Sequence, residues 1–135
     1  SKKFSEKVFL GMIKAGLNKK MEWGCETTVH LDDPAFYRLM REAGCTYVFF
    51  GFESANKEML KRTGKGVKNK EQIKKAVDAA SSAGIVPVGS FIFGLPGETQ
   101  ETAQEIVDFS AFGKGIYFLN IETDKGILNE KIIVE

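Results

Sequence analysis

Two acidic residues stand at the ends of apolar, aromatic and β-branched runs, each close to glycine. Tyr47-Val48-Phe49-Phe50-Gly51-Phe52-Glu53-Ser54 ends in Glu53, and Val88-Gly89-Ser90-Phe91-Ile92-Phe93-Gly94-Leu95-Pro96-Gly97-Glu98-Thr99 leads to Glu98. About 45 residues with helical patterning separate the two, the rhythm of parallel βα units that carry functional residues at their strands' carboxyl ends. A carboxylate there accepts hydrogen bonds from ligand hydroxyl or ammonium groups. Gly51, without a side chain, lets a ligand approach the backbone. Strict alternation places Glu53 on the face of Tyr47, Phe49 and Gly51, with Val48, Phe50 and Phe52 on the other. The competing reading of Glu53 is a cap for the next helix or a lysine's ion-pair partner.

In Gly94-Leu95-Pro96-Gly97-Glu98-Thr99 two glycines permit positive φ and Pro96 fixes one φ, which leaves amide groups able to hold a polar ligand. The same turn also serves as a plain βα connection. Neither Gly-x-Gly-x-x-Gly nor a Gly-Lys-Ser/Thr loop occurs, so the usual phosphate-binding loops are absent. His30 is the single histidine, on the polar side of its strand with Glu26 and Thr28; it faces either a ligand or solvent, and no nucleophilic triad can be built on it. Cys25 and Cys45 are too few for a disulfide scaffold or a Cys-rich metal site and read as buried thiols. The basic residues Lys57, Lys61, Arg62, Lys65, Lys68, Lys70, Lys74 and Lys75 are interrupted by apolar positions and read as a solvated helix face rather than a nucleic-acid stripe.

The elements that must position these residues are set by periodicity. Val8, Phe9, Met12, Ile13 and Leu17 predict a helix over Ser5 to Leu17, and the alternation of Met21 to Leu31 predicts a strand. Asp32-Asp33-Pro34 starts a helix that Gly44 ends. Tyr47 to Glu53 reads as a strand covered on both faces, followed by a short helix from Ala55 to Lys61 and a loop, Arg62 to Gly66. Asn69 with Gln72 resembles a capping box for a helix to Ala83, and a strand from Val86 to Phe93 comes next. Thr99 caps a helix carrying Ala103, Ile106, Val107 and Phe109; Ile116 to Ile121 is a further strand, and Lys131 to Val134 a last short one. Right-handed crossovers then give a curved four-stranded parallel sheet with helices on its outer face, an α/β open partial barrel.

Length and composition set the outer limits. The 135 residues are 43% hydrophobic and 27% charged, with no apolar run long enough to cross a bilayer and no signal peptide, which leads us to expect one cytoplasmic domain over residues 1–135. With 19 basic and 18 acidic residues the net charge is +1, so no global field favours nucleic acid or an acidic membrane.

Together these residues resemble the radical S-adenosylmethionine (radical SAM) superfamily, especially its cobalamin-associated and methylthio-transferring members. The resemblance runs from Trp23 to Phe109 through Asp33, Leu39-Met40-Arg41-Glu42-Ala43-Gly44-Cys45, Phe50-Gly51-Phe52-Glu53-Ser54, Ala79 to Ile85 and Gly94-Leu95-Pro96-Gly97-Glu98-Thr99. It implies the carboxyl-terminal half of a TIM-like barrel that holds a 4Fe-4S cluster and SAM at its rim and cleaves SAM reductively to a 5′-deoxyadenosyl radical. It also implies Glu53 and Ser54 near the SAM ribose and methionine, Ile92, Gly94 and Leu95 near the adenine, and Glu98 supporting the turn.

The chain departs from the family's pattern at three points. The cluster-binding Cys-x-x-x-Cys-x-x-Cys motif is missing from the sequence, and two cysteines cannot supply three converging thiolates. Thr28 and His30 occupy the strand where the family often has an arginine and an aspartate, and are the candidate ligand contacts there. The Pro-x-Pro-Gly-Thr pattern is missing after Tyr117. The reading is therefore a fragment of a radical SAM enzyme whose first βα units lie upstream. Such a fragment is expected to be catalytically inactive by itself, to bind neither cluster nor SAM in isolation, and to self-associate. The alternatives are a non-catalytic βα binding domain that has lost the cluster, and an aldolase-like barrel fragment, for which no Schiff-base lysine stands at a strand end.

Overall fold

A computed structural model describes residues 1–54, 56–62, 69–107, 115–123 and 126–134. Strands β1 (Trp23–Thr27), β2 (Cys45–Glu53), β3 (Val86–Phe93), β4 (Gly115–Thr123) and β5 (Gly126–Val134) lie side by side in chain order in one sheet. The first three neighbouring pairs are parallel, and β5 runs antiparallel to β4. The helices are α1 (Lys2–Lys14), α2 (Pro34–Glu42), α3 (Lys57–Arg62), α4 (Lys70–Ser82) and α5 (Gln100–Val107).

Local chemistry starts α2, α4 and α5 where the sequence indicates. The Asp33 side chain accepts a hydrogen bond from Ala35 N at 2.8 Å, with Pro34 at the first helical position of α2. Asn69 Oδ1 accepts from Gln72 N at 2.9 Å at the start of α4. Thr99 and Thr102 exchange side-chain and backbone bonds at the start of α5. After α2, Gly44 takes a φ of 99°, a conformation that glycine adopts without a steric penalty.

The core lies on one face of the sheet. Val48, Phe50 and Phe52 of β2 and Phe91 of β3 are completely buried in one cluster with Phe36 and Met40 of α2 and Ile73, Ala76, Val77 and Ala80 of α4. Phe52 bridges the two strands, its ring centroid 5.4 Å from both Phe50 and Phe91. Phe9 of α1 joins the cluster by stacking on Trp23 at 5.3 Å. The opposite face of β2 stays open, with Tyr47 49% exposed. The expectation of cover on both faces is thus corrected: the helices of this cluster all pack on the Phe50 side.

Other expectations change in detail. The first helix begins at Lys2 and ends at Lys14 rather than running from Ser5 to Leu17; Leu17 lies instead in a short 3-10 turn, Leu17–Lys19. Strand β1 covers only Trp23–Thr27, because Leu31 N turns back to Thr28 O at 3.1 Å. The sheet has a fifth, antiparallel strand, since β5 starts at Gly126 and pairs with β4 along its whole length rather than over Lys131 to Val134 alone. Ala55, the loop residues after Arg62 and Phe109 lie outside the described residues.

Candidate functional site

The carboxyl ends of β2 and β3 meet at a bulge. The register runs from Gly51 opposite Ser90 to Glu53 opposite Phe91, so β2 advances two residues while β3 advances one. Glu53 has a φ of 66°, in the left-handed region, which costs a side-chain-bearing residue about 1 kcal/mol or more. It is also buried, at 5% exposure, and Ser54 beside it is fully buried. The bulge ends the alternation that would have placed Glu53 with Tyr47, Phe49 and Gly51 on the half-open face, and that expectation is corrected accordingly.

Asn56 and Ser54 supply the start of α3. Asn56 Oδ1 accepts from Glu58 N at 2.9 Å and Met59 N at 3.1 Å, and Ser54 Oγ accepts from Asn56 N at 3.1 Å. Glu53 thus stands at the strand end as a buried carboxylate on a left-handed backbone, a combination found at functional sites.

Across the strand boundary, Leu95 to Glu98 forms a tight turn closed by Glu98 N donating to Leu95 O at 2.8 Å. Pro96 and Gly97, the latter at a φ of 84°, occupy its two central positions, which is the type II arrangement. Gly94, at a φ of 82°, donates its N–H to Glu98 Oε2 at 2.6 Å. Glu98 Oε1 is buried and has no hydrogen-bond partner among the described residues. Ile92 and Leu95 are half-buried, and Ile92 pairs in register with Asn120 of β4.

The adjacency of β2 and β3 therefore brings Glu53, Ser54, Ile92, Gly94, Leu95 and Glu98 to one rim. Thr28 is exposed just past the end of β1, on the neighbouring strand. His30 is engaged elsewhere: its Nδ1 lies 2.9 Å from Gln72 Nε2 of α4, which packs on the covered face. Sequence reasoning missed Arg62. Grouped there with a solvated basic cluster, it ends α3 and donates from Nη1 to Pro96 O at 3.0 Å, and only its position nine residues after Glu53 could have flagged it. The other described members of that cluster behave as expected, in exposed pairs such as Lys61–Glu58 and Lys74–Asp78.

The thiols lie at the other end of the sheet. Cys45 begins β2, and its Sγ is 3.4 Å from Tyr47 O. A hydrogen bond with Cys45 holds the Cys25 thiol below its usual range, while that bond and burial push the Cys45 thiol up. Cys45 is buried as expected, whereas Cys25 is half-exposed. Among the described residues no group of three His, Cys, Asp or Glu side chains is placed to hold a metal ion, and no helix is long and apolar enough to cross a membrane.

The residues at the rim offer acceptor chemistry suited to a nucleoside-type ligand bearing donor groups: the buried Glu53 carboxylate and Glu98 Oε1, which has no hydrogen-bond partner among the described residues, beside a glycine turn. The same chain does not fit an iron–sulfur cluster, because it has two cysteines where three converging thiolates are needed.

The sequence model of the radical SAM superfamily matches residues 2–110. That of the secretion system C-terminal sorting domain matches residues 89–135. An uncharacterized methyltransferase of Pyrococcus horikoshii is 33% identical over 110 residues, which is 82% of this chain and 23% of that protein. The bacteriochlorophyllide d C-8(2)-methyltransferase of Chlorobaculum tepidum is 30% identical over 109 residues, 70% of this chain and 24% of that one. Among solved structures, the radical SAM methyltransferase TsrM of Kitasatospora setae, with cobalamin and a 4Fe-4S cluster bound, has a TM-score of 0.71 at 21% identity, covering 87% of this chain and 25% of its own. The chain belongs to the radical SAM superfamily, and its fold is an open part of that family's barrel. It spans about a quarter of the length of the curated relatives it matches.

Proposed function

We propose that this chain is the SAM-positioning part of a radical SAM methyltransferase. Glu53 and Ser54 would hold the ribose and methionine end, Ile92, Gly94 and Leu95 the adenine, and Thr28 would face the ligand from the edge strand. The observation that carries this reading is the buried Glu53, held at a φ of 66° beside a turn whose Gly94 amide is already fixed by Glu98. Such strain persists where the surrounding structure enforces a particular side-chain position. When bound, SAM supplies a sulfonium centre whose carbon–sulfur bonds break to give a methyl group or a carbon radical. The work of this chain is to orient SAM and keep water from its polar groups. Methyl transfer is favoured because the relatives named above are methyltransferases, and cobalamin is proposed for the whole protein from the likeness to TsrM. A cysteine usage of two, too few for a disulfide scaffold, supports the cytoplasm for this part.

With two cysteines and no cluster motif, the isolated chain should be catalytically silent. After anaerobic reconstitution with iron and sulfide, then dithionite and SAM, we expect no 5′-deoxyadenosine and no S-adenosylhomocysteine above a protein-free control. A longer protein with a Cys-x-x-x-Cys-x-x-Cys segment ahead of these residues should form at least one of them. If it forms neither and does not bind SAM, the non-catalytic binding domain becomes the better reading.

A second reading concerns the β4–β5 hairpin alone. It breaks the parallel βα pattern, lies beyond the radical SAM match and falls within the match to the sorting domain. Residues 111–135 joined to a periplasmic reporter, in a bacterium that possesses such a secretion system, should carry the reporter to the cell surface. Retention in the periplasm would dismiss this reading.

A further inference from the structure

We infer that Arg62 is a positioning residue that locks the Leu95–Glu98 turn in its type II form and thereby shapes the nucleoside side of the site. The inference deepens the SAM reading and rests on it. In a type II turn the peptide between the two central residues directs its carbonyl away from the turn's own hydrogen bond, so the Pro96 oxygen needs an outside partner or water. Arg62 Nη1 is that partner, at 3.0 Å. The same guanidinium lies against Gly97, where a β-carbon would overlap Nη1. It also lines a pocket of about 300 Å³ with Met59, Leu95 and Pro96.

The turn is thus stapled from two sides. Glu98 reaches back to the Gly94 amide, and Arg62 reaches in from α3 to the Pro96 carbonyl. Flipping the central peptide toward type I would swing the Pro96 oxygen off the guanidinium and remove the need for positive φ at Gly97. Because α3 comes directly after Glu53 and Ser54 through the Asn56 cap, Arg62 ties the β2 end of the site to the β3 end. An arginine with several donors in a fixed plane suits this better than a lysine, which offers one rotating ammonium.

Two measurements test the inference separately from the SAM reading. In this chain without ligand, R62A should shift the Gly94 and Gly97 amide resonances and speed Gly94 amide exchange at least about tenfold. Core amides of β2 and α4 should be unchanged, and R62K should restore only part of the effect. A Gly94–Gly97 segment in R62A indistinguishable from wild type would overturn the inference. In a longer protein that binds S-adenosylhomocysteine, R62A should weaken that binding about tenfold or more and raise KM for SAM while leaving kcat at saturation nearly unchanged. Unaltered affinity despite an altered turn would overturn the functional half. A wild-type protein that binds no S-adenosylhomocysteine would overturn the SAM reading and that half with it, while the amide data still decide whether Arg62 sets the turn.

Discussion

Glu53 joins three properties that ordinary surface glutamates lack: burial, a left-handed backbone and a place at a bulge between two strand ends. Replacing it by Gln keeps the shape but removes a charge-assisted acceptor worth on the order of 1.5 to 3 kcal/mol. In a SAM-binding protein that contains this chain, E53Q should weaken SAM binding roughly tenfold or more by calorimetry. The melting temperature should move little, because the amide keeps the shape and packing of the buried side chain. Unchanged affinity together with a large loss of melting temperature would mark Glu53 as structural instead. Its place at a strand's carboxyl end was legible in sequence from the aromatic run that it closes. Its orientation was not, because a bulge is a property of the paired strands and alternation within one strand cannot register it. Arg62 was hidden for a related reason: a lysine-rich stretch looks uniformly solvated until the fold brings one member against a turn more than thirty residues away.

At the scale of elements, the glycine after α2 fixes how the chain passes from helix to strand. Gly44 combines a φ of 99° with a backbone oxygen, that of Met21, which would stand 2.9 Å from an added β-carbon. G44A should therefore lose roughly 1 to 2 kcal/mol from the left-handed backbone alone, with more from the contact, and a chain of this size loses about 3–5 °C per kcal/mol. Gly11 gives the opposite case, since it sits inside α1 with nothing within 4 Å of an added β-carbon. G11A should gain about 0.5–1 kcal/mol from helix propensity. Thermal melts of the two variants should move in opposite directions; equal losses would mean that Gly44 imposes no special constraint. Caps, periodic apolar stripes and glycine stops made α2, α4 and β3 readable to within a residue or two. The fifth strand was harder to read, because its pairing with β4 depends on a turn and a register that the polar run Asn129-Glu130-Lys131 does not specify.

For the whole molecule, the open face of the sheet decides behaviour in solution. Register places Tyr47 of β2, Val86 of β3, Phe118 of β4, and Ile127 and Ile133 of β5 on the side away from the helices, and each is more than a third exposed. In a closed barrel such positions are filled by side chains from the strands opposite, and the solved relative extends well beyond the matched part. Two edges add to the exposure: among the described residues β1 pairs on one side only, with β2, and β5 only with β4. An uncovered apolar face bordered by unpaired strand edges favours association between copies. We therefore expect the isolated chain to form dimers or larger species that grow with concentration, read by light scattering behind size-exclusion chromatography. Phe118→Lys and Ile133→Lys put charges on the open face without touching the buried cluster around Phe50 and Phe52, and should move the population toward monomer with little change in melting temperature. A wild-type chain that stays a monodisperse monomer at high concentration would mean that this face is covered in solution, and would count against the open half barrel itself.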